Sequence, residues 1–264
     1  LDGTYTVDQL SFGPLGTTLD LDGTYTIDQA LDIGTDSTLT LDGDWTNAST
    51  ITATDATVNL GGDFTLAELG TFNRSGGTVN ITGTLDLVGQ TLTLDAATGD
   101  WTLSGGTIQS GSIATAEGAQ LLATSSSSNR LRNVVLDGDM DLSASRAVMR
   151  IDTVTINGTV TLSGRDASLA FEGDQTLGGT GEVVLTDFDS QFEQTESSGG
   201  TLTLGADLTV RGTGNLAGRQ RSGFGRTMSV VNNGTIIADL SGQTLTVGGR
   251  GTGSTFTNNG TLRA

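Results

Sequence analysis

A glycine recurs at residues 3, 23, 43, 62 and 83, at spacings of 20, 20, 19 and 21, and two positions after each stands Tyr5, Tyr25, Trp45, Phe64 or Leu85. Self-similarity at roughly 20–50 residues marks a solenoid, in which each repeat buries its apolar edge only by stacking on its neighbours. The unit reads Φ-x-Φ-x-G-x-Φ-x-Φ, where Φ is apolar. Leu19, Leu21, Gly23, Tyr25 and Ile27 form one copy; Val58, Leu60, Gly62, Phe64 and Leu66 form another, and Val79, Ile81, Gly83, Leu85 and Leu87 a third. This alternation has period two, the signature of strands with one buried face, and no helical period of about 3.6 accompanies it.

The pattern continues with Gly99 before Trp101 and Leu103, weakly at Gly118, and clearly around Gly138 and Gly158. It breaks at Leu169-Phe171-Gly173-Leu177 and returns in Leu202–Val210. Two late copies lie 26 residues apart, Val230-Asn232-Gly234-Ile236-Ala238 and Phe256-Asn258-Gly260-Leu262-Ala264. The central glycine falls where two strands meet, since a residue without Cβ lets the backbone turn a corner or approach its neighbour closely. Each strand then pairs in parallel with its copy one turn later, about 4.8 Å away. Parallel crossovers are right-handed. The expected fold is all-β, a right-handed parallel β-helix of roughly a dozen coils of about 20 residues. One domain spans 1–264, with regular coils over 1–185 and loop-bearing coils over 186–264.

Composition agrees with short strands and tight turns: 40 Gly, one Pro and 5% aromatic residues. With no cysteine there is no disulfide and no thiolate metal site, and a solenoid supports itself by stacking. An apolar run of about 18 residues, the length that reads as a membrane span, is missing, as is a basic-then-apolar leader, and Leu1 opens inside a repeat, as in a processed or excised piece.

Charge is the second strong feature. The formal net charge is −18, and all 12 basic residues are Arg. Nucleic acid is an unsuitable partner, because phosphate binding needs a positive footprint. Residues 1–129 hold 16 acids and only Arg74, whereas residues 130–264 hold 14 acids and 11 Arg. Beyond Leu208 stand Arg211, Arg219, Arg221, Arg226, Arg250 and Arg263 against Asp239 alone. A solenoid end is an open row of strand backbone, and neither end here carries a helical cap pattern. Opposite charge at uncapped ends leads to the expectation of head-to-tail contact, between copies or with adjoining repeats, through those six arginines.

Little enzyme chemistry is visible. Without His, Cys or Lys there is no Ser-His-Asp arrangement, no imidazole base, no P-loop and no Schiff base. Paired carboxylates remain, and the best cluster is Asp187, Asp189, Glu193 and Glu196 beside Phe188 and Phe192. An acidic surface loop explains it equally well. Calcium is a candidate at Asp2, Asp22 and Asp42, which recur at one place in adjacent coils, with Asx-turns as the alternative. The dedicated calcium repeat G-G-x-G-x-D-x-U-x is missing. Ice binding through Thr-x-Thr ladders begins at Thr4/Thr6 and Thr24/Thr26, but the following coils read Asp44/Thr46, Asp63/Thr65, Thr84/Asp86 and Asp139/Asp141, so charge interrupts the array. Six Asn-x-Ser/Thr sequons, at Asn47, Asn73, Asn80, Asn157, Asn233 and Asn259, are potential glycan acceptors or chance matches in a chain rich in Ser and Thr.

Segments such as Leu131–Leu142 (LRNVVLDGDMDL), Thr153–Gly164 (TVTINGTVTLSG) and Phe171–Leu185 (FEGDQTLGGTGEVVL) resemble the degenerate β-helix repeats of large bacterial surface proteins, autotransporter passengers and filamentous-haemagglutinin-like adhesins. The resemblance covers nearly the whole chain but carries over no functional residue. It implies secretion and a surface or adhesive role. The expectation is a non-enzymatic extracellular stalk or filament-forming module without membrane insertion, with surface polysaccharide as a further partner. The rivals are a carbohydrate-active or carbohydrate-binding β-helix and, less directly, an ice-binding one.

Overall fold

The computed structural model of the protein describes residues 16–216, 227–248 and 253–264, with the backbone of Tyr5–Thr6. The chain is a parallel β-solenoid with turns of about 21 residues. It divides into two compact units, Leu1–Leu121 and Leu122–Ala264.

In the first unit three strands make a turn. Thr18–Leu21, Thr38–Leu41, Thr57–Leu60, Thr78–Ile81 and Trp101–Leu103 pair in parallel to form what is called here the ladder sheet. Across the glycine corner lie Thr24–Ile27 and Asp44–Asn47, then Asp63–Thr65, Thr84–Asp86 and Thr107–Thr115, the aromatic sheets. Leu31–Ile33, Thr50–Thr54 and Thr71–Ser75 make the third side. The predicted alternation is realised: Leu39, Leu41, Val58, Leu60, Val79 and Ile81 point inward and are buried, while the residues between them face out.

The residues two positions after Gly23, Gly43, Gly62, Gly83 and Gly106 are buried and form a core column. Tyr25 is in register with Trp45, and Phe64 with Leu85 and Ile108. The Trp45 and Phe64 rings stack at 5.0 Å, and Trp45 Nε1 donates to Gly61 O at 2.9 Å, so this column is both packed and hydrogen-bonded.

The glycines themselves are explained chiefly by stacking. Gly43 and Gly62 have positive φ, 78° and 65°. Gly83 does not, yet a Cβ there would enter the van der Waals shell of Gly62 O on the preceding turn. The atom that a side chain would need is already occupied by backbone of the coil below.

One expectation is corrected. Leu66 does not continue the strand alternation: Leu66–Leu69 is a single turn of α-helix, and Leu69 is buried in its place. A capping box starts it, with Thr65 Oγ1 accepting from Glu68 N at 3.2 Å and Glu68 Oε2 accepting from Thr65 N at 2.8 Å. Buried Asn47 holds the other end by donating to Leu69 O and Thr71 O.

The repeat also changes phase inside this unit. Thr78–Ile81 precedes its glycine, Gly83, but its in-register neighbour Trp101–Leu103 follows Gly99 and is succeeded by Gly105 and Gly106. The same motif therefore marks two different corners. Arg74, the sole basic residue before Arg130, bridges the slip: its guanidinium donates to the carbonyls of Thr98, Asp100, Gly76 and Gly77 at 2.8, 2.9, 2.8 and 2.6 Å.

The second unit is likewise three-sided. Met140–Asp141, Thr159–Leu162, Glu182–Leu185, Thr209–Gly212, Thr235–Ile237 and Thr261–Arg263 form the glycine-following sheet. Arg130–Leu136, Val148–Ile156, Ser168–Phe171 and Gln191–Gln194 form the arginine sheet. Gln175–Leu177, Gly200–Leu204, Met228–Asn232 and Phe256–Asn258 complete the turns. Its core holds Phe171 against Phe192, edge to face at 5.3 Å, with Met149, Leu169 and Ile151 buried beside them. Among the described residues no helix is long and apolar enough to cross a membrane.

Candidate functional site

The four carboxylates of the 187–200 stretch are divided between a turn, the strand that follows it and the residues beyond. Asp187 lies in the turn before the strand Gln191–Gln194, where its Oδ1 accepts from Asp189 N at 2.9 Å. Glu193 sits mid-strand, and Glu196 is exposed beyond it. Asp187 and Asp189 thus share one turn, and Glu193 stands on the strand that follows it. Asp189 and Glu193 are buried, at 3% and 1% exposure, so neither stands open to a substrate. Phe188 is 58% exposed, whereas Phe192 belongs to the core.

The more organised charge cluster was not read from the sequence. On the outer face of the arginine sheet Arg130 is in register with Arg150, and Arg132 with Asp152. Arg132 Nε meets Asp152 Oδ2 at 2.9 Å; Glu172 takes both the Arg130 guanidinium and Arg150 Nε, the latter at 2.6 Å. Its carboxylate side chain is only 9% exposed, and one coil's acid is shared by arginines contributed by two earlier coils. Burial, then repulsion from Arg132 and Arg150, holds the Arg130 pKa below its ordinary value. A signal existed: 130/150 and 132/152/172 repeat at 20 residues, like the glycines.

Of the proposed contact arginines, Arg219, Arg221, Arg226 and Arg250 lie outside the described residues, as does Asp2 of the calcium candidates. Arg211 is on the glycine-following sheet, with Nε 2.9 Å from Glu182 Oε2 and an outer nitrogen 3.3 Å from Asp239 Oδ2. The Glu182 hydrogen bond raises its pKa above the ordinary value. Arg263 is exposed on the strand Thr261–Arg263.

Asp22 and Asp42 are exposed at the glycine corner of the first unit, and each accepts the N–H of the next residue, Gly23 at 2.7 Å and Gly43 at 2.8 Å. Both bonds are to the adjacent residue, one position short of the Asx-turn weighed against calcium. A shallow groove of about 440 Å³ runs along this corner, lined by Asp42, Asp44, Asp63 and glycine backbone. Among the described residues no three acidic side chains are placed to hold a metal ion. Burial keeps the Tyr25 hydroxyl well above its ordinary pKa, with the Asp42, Asp22 and Asp20 carboxylates adding to that effect, and it donates to Leu21 O.

The outward rows differ from face to face. On the aromatic sheets Thr24/Thr26 is in register with Asp44/Thr46, and Asp63/Thr65 with Thr84/Asp86, so the charges do interrupt that array. On the ladder sheet one row runs Thr18, Thr38, Thr57, Thr78 and the next Asp20, Thr40, Asn59, Asn80, Thr102, each member in register with the last. Asn80 Nδ2 donates to Asn59 Oδ1 at 2.9 Å and Asn59 Nδ2 to Thr40 Oγ1 at 3.2 Å, a chain of bonds along the stack. Among the sequons, Asn47 is 4% exposed with its amide committed, which closes it to modification in the folded protein. Asn73 faces outward and is exposed.

Comparison with protein-family models, with curated proteins and with solved structures finds no match to this chain.

Proposed function

We propose that this chain is a structural module: a non-enzymatic β-solenoid that serves as a stalk or filament-forming segment of an extracellular, surface-type protein. The observation that carries this reading is the coil-to-coil register. Strand after strand pairs with its own copy, so the polar side chains of both units fall into rows along the stack rather than converging on a cleft. Rows suit length and lateral contact; a reaction needs groups of different roles held around one atom.

Head-to-tail association, with another copy or with adjoining repeats, follows from the charge asymmetry, and Arg263 is the exposed described member of the arginine set. Electron micrographs of the purified chain at low salt test it: filaments that shorten when salt is added fit stacking through opposite charges, since screening grows with ionic strength. Isolated short particles under all conditions would remove self-stacking from the proposal.

The rival, a carbohydrate-active site at Asp187, Asp189, Glu193 and Glu196, draws on the exposed Phe188 between two of those acids. Polysaccharide turnover that disappears in the quadruple Asp→Asn, Glu→Gln variant would favour it over the structural reading. Calcium at the Asp22/Asp42 corner predicts a melting temperature that rises with added calcium and falls with chelator.

A further inference from the structure

The ladder sheet of the first unit presents a rigid, neutral, two-dimensional lattice on an otherwise acidic stretch of chain. Its central block is Thr38/Thr40, Thr57/Asn59 and Thr78/Asn80, three turns in register with no charge. Thr18 and Thr102 extend it at opposite corners; Asp20 and Asp100 bound it. Strand spacing sets its repeat along the stack at about 4.8 Å, and alternate residues of a strand set the cross repeat at about 6.6 Å. An adsorbed crystal face would have to present repeats near these two values.

From this lattice we infer that the ladder face adsorbs to ice, with ordered water between the Thr and Asn rows completing the match. Three properties favour that occupant. First, the row members are held before any partner arrives: Asn80, Asn59 and Thr40 are linked in one hydrogen-bonded chain, and Thr57 Oγ1 lies 3.4 Å from Thr78 Oγ1. A surface whose rotamers are already fixed loses little entropy on meeting a crystal. Secondly, threonine places a hydroxyl and a methyl side by side, so the hydroxyl anchors a water while the methyl orders its neighbours. Thirdly, charges disrupt an ice-like water layer because they orient water around themselves, and this face has none in its central block. The aromatic sheets, broken by Asp44, Asp63 and Asp86, lack that continuity. No aromatic ring stands in these rows to stack on a sugar, which sets the face apart from a glycan platform. This activity goes beyond the structural reading, which does not depend on it.

The test is growth of a seed ice crystal in a solution of the full chain, read as crystal faceting and as a gap between melting and freezing temperatures. The parent chain is expected to facet the crystal and open a gap. Thr57→Lys and Asn80→Lys, on separate turns, are each expected to abolish both effects in a chain that still melts cooperatively. Thr46→Lys, on the neighbouring aromatic sheet, is expected to retain them. A parent chain that leaves the crystal round and the gap closed overturns the inference. So does an active parent whose activity survives both ladder substitutions, or is lost equally with Thr46→Lys.

Discussion

In the first unit outward-facing carboxylates stand in water or bond the next residue's N–H: Asp22 and Asp42 take glycine N–H groups, and Asp44 and Asp63 line an open groove. In the second, Asp152 and Glu172 are locked between Arg130, Arg132 and Arg150, and Glu182 and Asp239 share Arg211. Both units have the same kind of interior, an in-register apolar stack. The comparison separates two jobs of a repeat. Inward positions make the coil and tolerate little, whereas outward positions are free to become a solvated acidic face, a neutral lattice or an ion-paired ladder.

If the interiors are equivalent, Trp45→Ala and Phe192→Ala should be the most damaging changes and damage their units alike, by about 3–5 kcal/mol each. Urea denaturation of the two variants would show this, and a loss confined to one of them would break the equivalence. The exteriors should respond unequally. Glu172→Gln leaves Arg130 and Arg150 without their shared acid and is expected to cost about 1.5–3 kcal/mol. Asp44→Asn, on the exposed side of the first unit, should stay within about 0.5 kcal/mol. Equal effects in denaturant titrations would erase the distinction.

Arg74 is the exception in the first unit, a base whose partners are carbonyls rather than acids. Arg74→Lys keeps the charge but not the five-donor fork, and a loss of about 1–2 kcal/mol is expected, with faster amide exchange in Asp95–Asp100 as the local sign. Smallest is the effect at Asp95, whose carboxylate accepts from Thr98 N and Ala97 N and so titrates below the ordinary 3.8. A depressed folded-state pKa adds stability above the unfolded value, lost as pH falls through the folded one. Asp95→Asn should therefore lower the melting temperature near neutral pH, and the difference from the parent should shrink progressively as pH falls below 3.8.

Much of the fold was legible because alternation is a local property: Leu39, Leu41, Trp45 and Val58 declare their buried side without reference to any neighbour. The one-turn helix was legible too, in Thr65 and Glu68, but Phe64-x-Leu66 continued the strand pattern and masked it. The candidate site was less legible. Asp187, Asp189, Glu193 and Glu196 are close in sequence, but the fold buries Asp189 and Glu193 and leaves Glu196 exposed. Arg130, Arg150 and Glu172 are distant in sequence, and stacking brings them together.

By itself, then, the sequence determined that the chain is a parallel solenoid, which side chains build its core, and roughly how long its turns are. Only the tertiary structure decided which corner each glycine occupies. The motif Φ-x-Φ-x-G-x-Φ-x-Φ is symmetric about its centre, so Gly83 and Gly99 look alike until the pairing of Val79 with Trp101 shows one turn entering the corner that the other leaves. Register is a relation between strands about 20 residues apart, set by hydrogen bonds that no single repeat contains, and the outward rows exist only once it is set.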